Sequence, residues 1–259
     1  MVKLGGHALD SLKPDAAILV ALAEDLGALA REGHRAVVVH GGGPQIQALL
    51  DAVGHESHFA DGLRVTDDAT MEFVVMGLSQ VNVHLVAAFN QAGLASVGLS
   101  GVDGSTLRAS PLGGAWGRAG GAPKVEVELL VTLLERSVTP VVSPLAVDEF
   151  GGLVNCNADS AAGSLAGALD ADALVLLSDV DQLRADRFDA TSALASVSGT
   201  EVHRLIERGA VREGMRPKMI AALDALAGGA AGVLVANGTR PHALRDALAG
   251  TIPVTEVRA

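Results

Sequence analysis

The sequence predicts a mostly parallel α/β protein. Short apolar runs of strand length recur along the chain, helical apolar spacing fills the intervals, and the first two strands run directly into glycine-rich turns. At 259 residues, with 49% hydrophobic content, the chain can bury a large core as one α/β domain or as two fused lobes.

Val2-Lys3-Leu4 reads as a short strand entering Gly5-Gly6, and Asp15 to Arg31 shows helical spacing that ends near Gly33. Ala36 to His40 is a buried-type strand followed by Gly41-Gly42-Gly43-Pro44 and a helix to about Ala52. The order strand, glycine loop, helix is how open parallel sheets present backbone N–H groups to a ligand. Further strands are expected at Ser96–Leu99, Thr139–Val142, Leu174–Leu177 and Gly232–Val235, separated by helical patterns at 69–91, 128–136, 159–169 and 215–227. The glycine-rich stretch Gly113 to Val127, around Trp116, breaks this rhythm; it is expected to be a hairpin, either at the rim of a site or on plain surface. Arg184 to Gly199 is a second irregular stretch. With no repeat or long low-complexity linker, any two lobes should share one continuous sheet.

After the expected strand Thr139–Val142, at the start of the helical pattern 159–169, lies the polar junction Val154-Asn155-Cys156-Asn157-Ala158-Asp159-Ser160. Asn157 or Asp159 can cap the helix that follows, whose positive end favours a nearby anion.

Composition removes several function classes. A net charge of −11 opposes a phosphate-backbone footprint, and 2% aromatic content leaves no stacking platform for single strands. An acidic protein that binds anions must use a few focused cations and helix ends. Its lysines are Lys3, Lys13, Lys124 and Lys218; Lys3 and Lys218 both stand beside glycine-rich turns, where an ammonium can be aimed at phosphate, although surface lysines are common. The single Cys156 excludes an intramolecular disulfide and a multi-Cys zinc site, which suits a reducing compartment. No export signal is legible and no apolar run approaches the ~18 residues of a membrane span, so a soluble, cytoplasmic protein is expected.

Motif chemistry narrows the choice further. His40-Gly41-Gly42-Gly43 spells an esterase oxyanion loop, but no serine sits in G-x-S-x-G. A dinucleotide fingerprint fails at Ile46, a Walker loop fails because no lysine follows glycine, and the protein-kinase motifs are absent. His55-x-x-His58 has metal-ligand spacing without a supporting cluster, so no metal site is assigned.

Taken in order, Lys3-Leu4-Gly5-Gly6, Val39-His40-Gly41-Gly42-Gly43-Pro44-Gln45-Ile46, Asp61-Gly62-Leu63-Arg64-Val65-Thr66, Gly98-Leu99-Ser100-Gly101-x-Asp103-Gly104, Asn155-x-Asn157-Ala158-Asp159, Leu177-Ser178-Asp179-Val180 and Gly214-Met215-x-Pro217-Lys218 resemble the amino-acid kinase family, and within it the N-acetylglutamate kinases. The resemblance covers nearly the whole chain. It implies a three-layer αβα sandwich with a mostly parallel central sheet, an acetylglutamate-binding and dimerising lobe over 1–172, and a nucleotide-binding lobe over 173–259. The implied reaction transfers the γ-phosphate of ATP, carried with Mg²⁺, to the side-chain carboxylate of N-acetyl-L-glutamate in arginine biosynthesis. Lys3, Asp159 and Lys218 would be catalytic, and Gly42, Gly43, Arg64 and Asn155 would bind the substrate. Gly5, Gly6, Asp179, Asp181, Val211 and Gly214 would hold the nucleotide. A homodimer insensitive to arginine is expected, with neither nucleic acid nor membrane as partner.

The chain departs from the family pattern in three places. Gln80-Val81-Asn82-Val83-His84 carries no lysine, Glu213 stands where glycine is usual, and Gln182 replaces a glycine in the nucleotide loop. Relatives that phosphorylate carrier-bound aminoadipate share most of these motifs; their acidic carrier calls for a basic rim, and only Arg108 and Arg118 offer one. A non-catalytic, ligand-binding member of the fold is the alternative from a different class, which retention of Lys3, Asp159 and Lys218 disfavours.

Overall fold

The computed structural model describes residues 1–5, 16–186, 188–211 and 214–259. Gly6 and Glu213, both singled out above, lie outside the described residues.

Eight strands form the central sheet, in the order Ser196–Ser198, Val254–Arg258, Val233–Asn237, Leu174–Ser178, Val2–Leu4, Val38–His40, Thr139–Ser143, Ser96–Ser100. The six from Val233–Asn237 to Ser96–Ser100 pair in parallel. Val254–Arg258 runs antiparallel to Val233–Asn237, and Ser196–Ser198 follows it in parallel. The sheet is therefore mostly parallel and continuous from residues of the first half of the chain to residues of the second.

Strand side chains alternate between two apolar layers, as a period of two requires. Leu174 and Leu176 face one core with helices α4 (Glu128–Glu135), α5 (Ala158–Ala168), α6 (Gly199–Glu207) and α7 (Met215–Gly228). Val175 and Leu177 face the other with α1 (Ala17–Arg31), α3 (Asp68–Gln91) and α8 (Ala243–Leu248). Helices on both faces of a parallel sheet give the αβα sandwich. Helix α2 (Gly43–Ala52) packs on α3 through a third cluster that contains Ile46, Leu50, Val74 and Leu78.

Three expectations need correction. By length and composition α3 could cross a membrane, with 24 residues and a mean hydropathy of 1.4 in its most apolar window, so an apolar run of that size does exist. The fold lays it against the sheet, with Val74, Leu78, Val81, Leu85 and Phe89 buried in cores. A hairpin does turn at Gly113 to Gly117, where Leu112 donates to the Ala119 carbonyl at 2.8 Å, but Gly113 to Val127 is not one self-contained hairpin: Ala119–Gly120 pairs in parallel with Leu153–Cys156, and Lys124–Val125 pairs with Leu107–Arg108. Arg184 to Gly199 is not wholly irregular, because Ala193–Leu194 pairs with Leu183–Arg184 and Ser196–Ser198 edges the main sheet.

Candidate active site

A cleft of about 200 Å³ opens where the central strands end, lined by Lys3, Gly41 to Gly43, Arg64, Asn155 and Asp159 among others. Two helix amino-termini meet there. Gly42 is the N-cap of α2, with no side-chain cap and Pro44 in the first turn. A Cβ on Gly42 would come within 3.0 Å of Leu78, whereas one on Gly43 would meet nothing within 4 Å. Helix α5 begins beside it, and Asn157 is its cap, accepting from the N–H groups of Asp159 (2.8 Å) and Ser160 (3.3 Å). Since the cap is Asn157, the Asp159 carboxylate is free for other work.

That carboxylate faces two ammonium groups. Lys3, on the central strand Val2–Leu4, places Nζ 2.8 Å from Asp159 Oδ1, an ion pair in which both side chains are buried. Lys218, one turn into α7, donates to Asp159 Oδ2 at 3.3 Å and to the Gly214 carbonyl at 3.4 Å. Burial disfavours charge on Asp159, but Lys3 and Lys218 together outweigh it and hold the carboxyl below its ordinary range. Burial lowers the Lys3 ammonium, and the Asp159 charge opposes that shift. The reach of Lys218 depends on helix packing: a Cβ on Gly163 of α5 would lie 2.4 Å from the Ala221 carbonyl oxygen of α7, so only glycine permits this approach.

Arg64 lies on the opposite wall, in the hairpin formed by Phe59–Ala60 and Leu63–Arg64. Its Nη1 donates to Gln47 (2.9 Å) and to Ser57, its Nη2 donates to the Gly43 carbonyl (3.3 Å), and its guanidinium lies over the Phe59 ring at 4.7 Å. Gln47 is held in turn by Asp51, which accepts from its amide at 2.8 Å. Three of the five guanidinium donors are thus used, leaving two for a ligand. Asn155 donates to the Thr66 hydroxyl (3.0 Å), which donates to the Arg64 carbonyl (2.8 Å). The Gly113 to Val127 stretch closes this wall: Trp116 Nε1 donates to the Ala60 carbonyl at 3.3 Å, and Ala119 lines the cleft. Gly117, at φ 59°, lies so close to Thr66 that a Cβ would sit 2.4 Å from its carbonyl oxygen.

Among the described residues, the other predicted ones do not line this cleft. Gly5 donates to the Leu177 carbonyl (3.0 Å), and a Cβ there would lie 2.8 Å from that oxygen. Asp179 accepts from Ser178 at 3.1 Å. Asp181 accepts from Arg240 (2.6 Å) and Asn237 (3.1 Å), which ties the carboxyl ends of two neighbouring strands together. Val211 is a core residue, and Gly214 is the N-cap of α7. Gln182 donates to the Val254 carbonyl at 2.8 Å and so anchors its loop to the strand Val254–Arg258. Cys156 lines the cleft, but burial pushes its thiol up to about 12 and leaves it an apolar filler. Among the described residues no group of three or more His, Cys, Asp or Glu could hold a metal; His55 contacts Thr70 instead, at 3.1 Å.

Residues 1–237 match the Amino acid kinase family. The acetylglutamate kinase of Heliobacterium modesticaldum is 41% identical over 259 residues, covering 94% of this chain and 86% of that protein. The acetylglutamate kinase of Nostoc punctiforme is 42% identical over 247 residues, covering 94% and 81%. Among solved structures, N-acetylglutamate synthase from Neisseria gonorrhoeae, complexed with coenzyme A and N-acetyl-glutamate, superposes with a TM-score of 0.83 at 25% identity, covering 100% of this chain and 58% of that one. Carbamate kinase from Giardia lamblia bound to AMP-PNP shares the fold, with a TM-score of 0.70 at 17% identity. Together with the ordered motifs and the αβα sandwich, these matches show that the chain belongs to the amino acid kinase family.

Proposed function

We propose that the chain is an acetylglutamate kinase, which transfers the γ-phosphate of ATP to the side-chain carboxylate of N-acetyl-L-glutamate in arginine biosynthesis. Relatives of that name, about as similar as the two above, match over nearly the whole length. The observation that carries the mechanism is the convergence of Lys3 and Lys218 on Asp159, within 3.3 Å, at the end of the cleft.

A carboxylate acceptor is already ionised at neutral pH and needs no general base. Catalysis then reduces to alignment and to stabilising charge on the transferring phosphoryl group. In this reading Lys3 and Lys218 supply that charge from two elements, and Asp159 positions both without taking a proton. The two uncommitted Arg64 donors fork onto the substrate α-carboxylate, a geometry an ammonium cannot reproduce. Gly42 and Gly43 lend backbone N–H groups, and Asn155 orients the substrate wall. Gly5, Asp179, Asp181, Val211 and Gly214 belong to the nucleotide side, with 1–172 as the substrate lobe and 173–259 as the nucleotide lobe. Mg²⁺ arrives on the nucleotide phosphates. A homodimer completes the reading: the outermost strand, Ser96–Ser100, is only half buried, and α3 exposes Met76 and Val83.

The test is ADP release by the purified protein with acetylglutamate, aminoadipate and glutamate in parallel. Release with acetylglutamate alone is expected. Turnover only with carrier-bound aminoadipate, or none with any acceptor despite binding, would overturn the assignment. Arg118 is already paired with Asp148 at 2.8 Å and donates to the Leu153 carbonyl, so it offers little to an acidic carrier.

A further inference from the structure

We propose that His40 and Asn82 are positioning residues that lock the Gly41–Gly42 peptide, with its carbonyl turned into the protein and the Gly42 N–H turned to the cleft. His40 ends the strand Val38–His40 and is fully buried. Its Nδ1 lies 2.8 Å from the Gly41 carbonyl oxygen, and its Nε2 lies 3.0 Å from Asn82 Nδ2. A carbonyl oxygen can only accept, so Nδ1 carries the proton; an amide nitrogen can only donate, so Nε2 accepts. The orientation of the Asn82 amide is fixed independently, because the same Nδ2 donates to the Val141 carbonyl at 2.8 Å. One directed chain results, from Asn82 to His40 to Gly41.

Peptide planarity carries the chain into the site. With no cis bond present, the Gly41 carbonyl and the Gly42 N–H point in opposite directions. Holding the carbonyl against the imidazole therefore turns the N–H away from it, and Gly42 lines the cleft. The opposite peptide orientation would present a carbonyl dipole to an anion. Because only glycines flank this bond, side-chain sterics do little to oppose a flip, and the lock must come from elsewhere.

The Asn82 side makes the same point. Asparagine is a poor helix-interior residue and is out of place on an otherwise apolar helix face unless its amide is used. Room for that amide is provided by Gly98, where a Cβ would stand 1.9 Å from Asn82 Oδ1. His40 is not among the residues that line the cleft, so its action passes through the peptide it holds.

The activity readout rests on the acetylglutamate kinase reading; the spectroscopic one does not. On the wild-type protein, nitrogen NMR of ¹⁵N-labelled imidazoles should show His40 protonated at Nδ1. In Asn82→Leu the Gly42 amide resonance should move. Asn82→Leu and His40→Leu should lower kcat by ~10–100-fold, part of what a lost oxyanion donor costs, while the KM for ATP moves less than about two-fold. His40→Asn, whose amide N–H can replace Nδ1–H, should retain kcat within about five-fold of wild type. An Nε2-protonated His40, or folded leucine variants with kcat within about two-fold of wild type, would overturn the proposal. If the leucine variants do not fold, the wild-type tautomer and His40→Asn decide. Absence of wild-type turnover would sink the kinase reading alone, leaving the tautomer and the Gly42 resonance to judge the peptide lock.

Discussion

Among the described residues Asp159 is the only carboxylate paired with both lysines of the site, and its removal tests whether it positions charge or merely starts a helix. Asn157 is the cap, so Asp159→Asn should leave α5 intact. Burial already lowers Lys3, and loss of the facing charge allows it to shed its proton instead of unfolding the protein. Turnover per folded molecule should fall by ~10²–10³, the scale for losing charge stabilisation in a closed site, while the circular-dichroism spectrum is unchanged. A variant that unfolds with turnover per folded molecule intact would make the role structural. His40 adds a pH dependence. Burial lowers its pKa from 6.5 to about 4, so below pH 6.5 the unfolded chain takes up a proton that the folded chain refuses. Stability is full above that value and falls as pH drops toward about 4, by about 3 kcal/mol for this group. Denaturant titrations between pH 7 and 4 should show the loss, and His40→Asn should flatten it.

At the scale of elements, the α5–α7 contact sets the distance between Lys218 and Asp159. Gly163→Ala forces a methyl into the Ala221 carbonyl at 2.4 Å, so α7 must move. The expected cost is ~1–3 kcal/mol of stability, with a fall in kcat and an unchanged acetylglutamate KM; unaltered kinetics in the folded variant would show that the lysine follows the helix shift. Much at this scale is legible in the sequence. The run from Ala36 into Gly41-Gly42-Gly43, the junction at Asn155 to Asp159 and the glycine turn before Lys218 all announce themselves by local chemistry. What is not legible depends on partners distant in sequence. Nothing near Asn82 points to His40, 42 positions away, and nothing in Trp116 points to Ala60. The choice of Asn157 over Asp159 as cap follows from the lysines that claim Asp159. Helix α3 is more apolar than its helical pattern suggests because it packs against both the sheet and α2, and Val254–Arg258, a short, partly polar strand one place in from the sheet edge, carries little periodic signal.

Across the whole molecule, the sheet joins residues that are far apart along the chain. Val2–Leu4 pairs with Val38–His40 on one side and with Leu174–Ser178 on the other. The alternation of strand and helix is readable in the sequence, but this order is not, because local periodicity does not say which strands become neighbours. A fragment ending at residue 172 therefore keeps one wall of the sheet and loses the next, leaving the Val2–Leu4 backbone as a bare edge beside apolar side chains. Such a fragment is expected to aggregate when expressed alone and to be rescued by co-expression of 173–259, which light scattering would detect; a soluble monomeric 1–172 would contradict it. Synthesis imposes the same gap in time. At ~5–20 residues per second, the strand bearing Lys3 waits roughly ten to thirty seconds for its second neighbour to be made, so a strand synthesised early is among the last to reach its final place.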